Sequence, residues 1–245
     1  MSLFTKVYPT EKFKTEIYSP MVIIYRLVSI PLLLISKILN LHPNFITLIS
    51  FFTLFAASIY AFYGSFIIAS LLMFLTIVLD CVDGELARIN EKETILGLKL
   101  ESIHADLTLI LFPSTILIGL IKMESFSNWI LLLLLFSTAI YVNWRSVYSS
   151  SPIKDDPSKL SFINKIIYAQ QKPNNEIRDS SIIGKAIFIT RINTATQVGV
   201  SFALITIFSF IDANLIIYPI WIIIISQLIF GIAVVIGKIL FSNLK

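Results

Sequence analysis

The sequence predicts an all-α integral membrane protein with six transmembrane helices preceded by an interfacial amphipathic helix. Three observations predict it. Hydrophobic residues make up 56% of the 245 and charged residues only 14%, and the mean hydropathy is +0.86, the balance of a polytopic membrane protein. Apolar runs close to the roughly 20 residues needed to cross the hydrocarbon core recur along the chain. The Lys and Arg residues gather on one side of the layout those runs define.

Residues 1–18 are polar and aromatic, lack a cleavable-signal pattern, and read as a cytoplasmic lead-in. Residues 19–40 are apolar but carry Arg26, Pro31 and Lys37. The two cations favour a helix lying in the interface over one that spans, so 1–40 together form the lead-in. Pro43 suits a helix start, and Asn44 and Thr47 can cap that helix or line a site. Spanning helices follow at 44–63, ending near Gly64, and at 66–87. A polar connection, Arg88–Thr94, leads to a third at 95–121, which Pro113 can kink. The remaining spans are 127–148, 186–210 and 214–240. Residues 150–185 form a cytoplasmic loop too poor in apolar residues to be a domain, with 160–170 as a short interfacial helix. The whole chain, 1–245, is therefore one membrane domain. With a cytoplasmic N-terminus, six spans leave every Lys and Arg except Lys122 on or near the cytoplasmic side. Both termini and the residues Asp80, Asp83, Arg88 and Glu101 fall on that side too. An odd number of spans scatters the charges.

The net charge of +4 is explained by topology, and no nucleic acid partner is expected. Cys81 is the single cysteine, which excludes an internal disulfide. No internal repeat, P-loop, dinucleotide fingerprint or Cys/His metal pattern is present. Trp129, Trp144 and Trp221 read as interface anchors or packing.

Chemistry concentrates in Leu79–Asp106. A carboxylate at bilayer depth is costly unless paired, hydrated or bound to a cation. Asp80 and Asp83 are three residues apart and share a helix face, and Glu101 lies about one turn into the next helix. Ion pairing with Arg88 or Lys99 is the plain structural explanation. A group of oxygen-only ligands instead suits a hard cation, Mg²⁺ or Mn²⁺. Such cations commonly bridge a pyrophosphate. Gly84 removes a side chain where a ligand must come close. Ala87 keeps the face shallow, and Arg88 offers a planar fork for phosphate oxygens. Thr94 can donate a hydroxyl hydrogen bond. Gly97 is expected to let the second and third spanning helices approach. Glu85 is expected to face solvent.

The spacing resembles the signature of the CDP-alcohol phosphatidyltransferase superfamily, D-x2-D-G-x2-A-R-x8-G-x3-D-x3-D. Asp80, Asp83, Gly84, Ala87, Arg88 and Gly97 match in register. Six fixed residues coincide by chance at about one position in ten million. His42–Thr47, HPNFIT, also resembles the Pro-Asn-x-x-Thr opening of that family's first span. The resemblance implies a metal-dependent enzyme of phospholipid biosynthesis. It would transfer a phospho-alcohol group from a CDP-alcohol donor to an alcohol or lipid acceptor and release CMP. It implies two divalent ions held by Asp80, Asp83, Glu101 and Asp106. It implies a nucleotide bordered by Asn44, Thr47, Gly84, Ala87, Arg88, Thr94 and Gly97, and a homodimer among membrane lipids.

The end of the signature departs from the family. Its third aspartate is Glu101 here, and its fourth, the general base in the family, is Ala105. Asp106 comes one residue late and His104 one residue early. At about 100° per residue, His104 and Ala105 share the Glu101 face and Asp106 points away. A π-bulge between Glu101 and Asp106 would bring the aspartate round. Alternatively His104 is the base, or the site binds nucleotide or lipid without turnover. Arg145 and Arg191, near the cytoplasmic ends of the fourth and fifth spans, either snorkel to headgroups or bind a phosphate-bearing acceptor. Thr194 and Gln197 extend a polar stripe from Arg191 at helical spacing. An ion transporter with the acidic cluster as its cation site would show broken, pseudo-symmetric helices, and the sequence carries no such symmetry.

Overall fold

The computed structural model describes residues 19–90, 94–123, 126–148 and 182–241. The lead-in before residue 19 and most of the 150–185 loop, including its expected helix at 160–170, lie outside the described residues. Eight α-helices account for nearly all of what is described: α1 Pro20–Ile38, α2 Pro43–Phe62, α3 Phe66–Ile89, α4 Ile95–Lys122, α5 Asn128–Tyr148, α6 Ile182–Thr194, α7 Val200–Ile211 and α8 Ile217–Phe241, the last preceded by a 3-10 turn at Ala213–Ile216. No strand occurs among them.

Local chemistry sets the ends of these helices. Asn40, at φ 50°, turns the chain out of α1, and the Leu41 amide bonds back to the Ser36 carbonyl. Pro43 then occupies the first turn of α2, and Nδ1 of His42 accepts from the Asn44 amide. Gly64, at φ 77°, closes α2 in the same way as Asn40 closes α1. Thr94 caps α4, its hydroxyl oxygen accepting from the Gly97 amide at 3.0 Å.

Among the described residues, five segments are long and apolar enough to cross a membrane: Pro20–Ile38, Pro43–Phe62, Phe66–Ile89, Lys99–Lys122 and Ala213–Ile232. The α1 helix is among them, and its sidedness is informative. Val22, Tyr25, Arg26, Ser29, Leu33 and Ser36 form its buried stripe. Leu27, Ile30, Leu34, Ile35 and Ile38 are exposed. Arg26, Ser29 and Ser36 therefore face the protein together with Val22, Tyr25 and Leu33, whereas Lys37 is exposed along with the outward apolar row, so of the two cations only Lys37 is turned outward.

The fifth span differs from the sequence expectation. It is two helices, α6 and α7, broken at 195–199. Thr190, Thr194, Thr196 and Asn193 each donate a side-chain hydrogen bond to the carbonyl four residues back. Such bonds loosen a helix. Gly199 then leaves the helical path with extended backbone, and the Asn193 carbonyl oxygen sits 2.6 Å from where a Cβ would be. Gln197 accordingly does not continue a stripe from Arg191 on one helix.

Without a hydrophobic driving force inside lipid, association rests on close packing and small residues. Ala57 and Ala61 of α2 and Ala69 of α3 are buried in the main cluster with Phe112, Ile116 and Leu120 of α4. The α2 helix lies against both α3 and α4, α1 lies against α3, and α5 pairs with α8. Gly119 of α4 abuts the Ala61 carbonyl, and Gly231 of α8 abuts Ile140 of α5. Ser137 and Thr138 of α5 both donate to the Gln227 amide oxygen of α8 at 3.0 Å.

Candidate active site

The last three turns of α3 carry Asp80, Asp83, Gly84, Ala87 and Arg88 at three- and four-residue spacing, which puts them on one face. Asp83 is buried, and its Oδ2 accepts the Thr47 hydroxyl hydrogen at 2.6 Å, from α2. Asp83 also lies within electrostatic reach of Asp80 and Glu101. The Arg88 guanidinium lies over Gly84, its nearest nitrogen 3.4 Å from where a Cβ would stand. Gly84 and Ala87 are half-buried.

His104 of α4 is 1% exposed. Its Nδ1 lies 3.2 Å from Asp80 Oδ1, at an angle that makes no hydrogen bond. Its ring meets Phe51 of α2 edge-on, with centroids 5.0 Å apart. Nε2 of His104 is buried without a hydrogen-bond partner among the described residues. The α4 helix is α-helical throughout, so the π-bulge that would turn Asp106 toward Glu101 is not formed. Five residues of α-helix leave the two carboxylates about 140° apart around the axis. Ala105, at the fourth signature position, is buried, and Asp106 is half-buried.

A second cluster gathers at the starts of α2 and α4. Asn44 Oδ1 and Thr94 Oγ1 lie 3.4 and 3.2 Å from where a Cβ on Gly97 would stand. Gly97 thus admits α2, the first of the predicted spans. The close approach at Gly97 is therefore between the first and third predicted spans, not between the second and third as expected from the sequence. Asn44 and Thr47 are three residues apart on α2, so one helix face links this cluster to Asp83.

Arg191 sits at the end of α6 with its guanidinium 5.9 Å from the Phe188 ring centroid. The side chain of Arg145 lies outside the described residues. Glu85 is not solvent-facing. It is 1% exposed and forms a 2.7 Å ion pair with Arg26 of α1, while Ser29 donates to its other oxygen at 3.0 Å. The sequence carried a signal for this pair, since a cation and a carboxylate in apolar helices each require a partner.

The donor chemistry fits a hard divalent cation. Asp80 and Asp83 stand one turn apart, Glu101 lies within electrostatic reach of Asp83, and Asp80 Oδ1 is buried without a hydrogen-bond partner among the described residues. Among those residues, no three His, Cys, Asp or Glu side chains are drawn into a closed metal-binding set. The family model for CDP-alcohol phosphatidyltransferases matches residues 40–239. The chain belongs to that family. Its members' reaction type is phosphatidyl transfer from a CDP-alcohol. No curated protein and no solved structure matches the chain significantly.

Proposed function

We propose that this CDP-alcohol phosphatidyltransferase family member is an active integral membrane transferase of phospholipid biosynthesis. It passes the substituted phosphate of a CDP-alcohol to an acceptor hydroxyl and releases CMP. The Thr47–Asp83 bond carries the reading, because it ties the α2 opening and the α3 signature into one polar site with His104 and Asp80. Arg88 holds phosphate oxygens with its planar fork. Asn44, Thr94 and the gap at Gly97 hold the nucleotide. Asp80, Asp83 and Glu101 would hold magnesium or manganese, which would supply charge neutralisation for a pyrophosphate and Lewis-acid polarisation of its phosphorus.

His104 takes the proton of the acceptor hydroxyl at Nε2, the buried nitrogen, while Asp80 faces the other ring nitrogen. A bond forms from the acceptor oxygen to the donor's β-phosphorus. The bond from that phosphorus to the CMP oxygen breaks, and CMP leaves with the electron pair. A cytoplasmic site and cytoplasmic termini are part of this reading, supported by the positive-inside bias of the Lys and Arg residues.

One observation favours a second reading, a relative that binds nucleotide without turnover: the fourth signature position is the buried Ala105. A panel of CDP-alcohols offered to the purified protein with Mg²⁺ or Mn²⁺ separates the two. Release of CMP that depends on both acceptor and metal is the expected result. Metal-dependent CDP-alcohol binding with no CMP from any donor and acceptor pair would establish the binding relative.

A further inference from the structure

We propose that Arg26 and Glu85 are a positioning pair that fixes the rotation of α3 about its axis, and with it the direction in which Asp80 and Asp83 project. The inference rests on the transferase reading for its catalytic consequence, but not for its structural one. Glu85 is two residues beyond Asp83, so the two side chains leave α3 about 200° apart. Asp83 turns to α2 and is bonded by Thr47. Glu85 turns to α1, where one oxygen takes Arg26 and the other takes Ser29. The end of α3 is therefore gripped from opposite sides by two polar clamps. Both oxygens of Glu85 are already engaged, and it points away from Asp83, so it is a positioning residue.

Packing alone does not require such a pair. Taking two charges out of water costs more than well-packed apolar residues of the same volume would, and the best-attested use of a buried pair is to fix register. Here a one-residue slip or a turn of about 100° strands Glu85 among apolar side chains. Tyr25, buried on the same α1 stripe and packed on Phe74 of α3 at 5.2 Å, lies within electrostatic reach of Cys81. Cys81 is one turn from Glu85 on the same face. The family match begins at residue 40, so α1 brings this grip from outside the matched segment.

Cys81, the single cysteine, reports on the α1–α3 contact without reference to activity. The full chain in detergent is labelled with a maleimide, and CMP release is followed in parallel. In R26M/E85M, which replaces both charges with apolar groups, the thermal midpoint should hold. Cys81 labelling should rise more than about threefold and kcat fall about tenfold with little change in KM, as expected for misplaced reacting groups. E85Q removes the charge with almost no change of shape and should move both readouts in the same direction. R26K, which keeps the charge pair, should stay near wild type. A folded R26M/E85M protein labelled at the wild-type rate overturns the proposal. Faster labelling in the variants, alongside a wild-type protein that releases no CMP, sustains the grip on α3 and removes the transferase reading instead.

Discussion

Thr47 donates its hydroxyl hydrogen to Asp83 across 2.6 Å, joining α2 to the signature helix α3 at a buried carboxylate. Hydrogen bonds to charged groups contribute about 1.5–3 kcal/mol, and a buried acceptor left without its donor loses that and more. Thr47→Val keeps the shape and removes the donor. It should lower kcat for CMP release roughly tenfold to a hundredfold, in line with that energy. Thr47→Ser keeps the hydroxyl and should stay near wild type. Equal rates in the two variants would show that the bond does not prepare Asp83 for its task.

Asp83 is the carboxylate on which three neighbours converge: Thr47, Asp80 and Glu101. Asp83→Asn is nearly isosteric and removes the negative charge. CMP release should vanish, and so should the part of CDP-alcohol binding that depends on Mg²⁺ or Mn²⁺, measured by titration with and without chelator. A variant that still turns over at the wild-type rate would remove Asp83 from the metal-binding set.

The two candidate bases differ in placement. His104 is buried beside Asp80, and Asp106 lies about 140° around α4 from Glu101. General base catalysis contributes about a hundredfold to ten-thousandfold. His104→Ala should lose a factor of that order in kcat. Asp106→Ala should lose far less, and both should keep their affinity for CDP. The opposite ranking would assign the proton transfer to Asp106, and equal activity in both would assign it to neither.

What the sequence disclosed follows from what spacing encodes. Three- and four-residue spacing along α3 is local, so the shared face of Asp80, Asp83 and Arg88 was legible. The span limits at Gly64, Pro43 and Thr94 were legible for the same reason, since caps and turns are chosen by nearby residues. Partners across helices are not local. Glu85 looked like a solvent-facing residue because nothing in its neighbourhood names Arg26, 59 residues earlier. Gly97 looked like a contact between consecutive spans, although the chain brings α2 to it. The break at 195–199 depends on several weak signals acting together, Thr and Asn side chains bonding backward and then Gly199, and no single one ends a helix. Among the described residues, the other long helices carry no mirrored counterpart of this break.

Two glycines on α4 separate the site from the scaffold. The α2 and α4 helices run parallel, with Asn44 at Gly97 near one end and Ala61 at Gly119 near the other, about 33 Å along α4 at 1.5 Å per residue. At Gly97 a methyl group would meet the far ends of two polar side chains, Thr94 Oγ1 and Asn44 Oδ1, at 3.2 and 3.4 Å. Those side chains can shift by a few tenths of an ångström, but both then leave the positions proposed for holding the nucleotide. Gly97→Ala should therefore raise KM for the CDP-alcohol several-fold, about 1 kcal/mol of binding, with the thermal midpoint nearly unchanged. At Gly119 the methyl group would meet the Ala61 carbonyl, and rigid backbone cannot step aside. Gly119→Ala should cost about 1–3 kcal/mol of stability by forcing the two helices apart. That loss should appear as a lower midpoint in detergent, while KM of the surviving protein stays at its wild-type value. The site assignment for Gly97 fails if its alanine variant loses stability as Gly119→Ala does and binds CDP-alcohol normally.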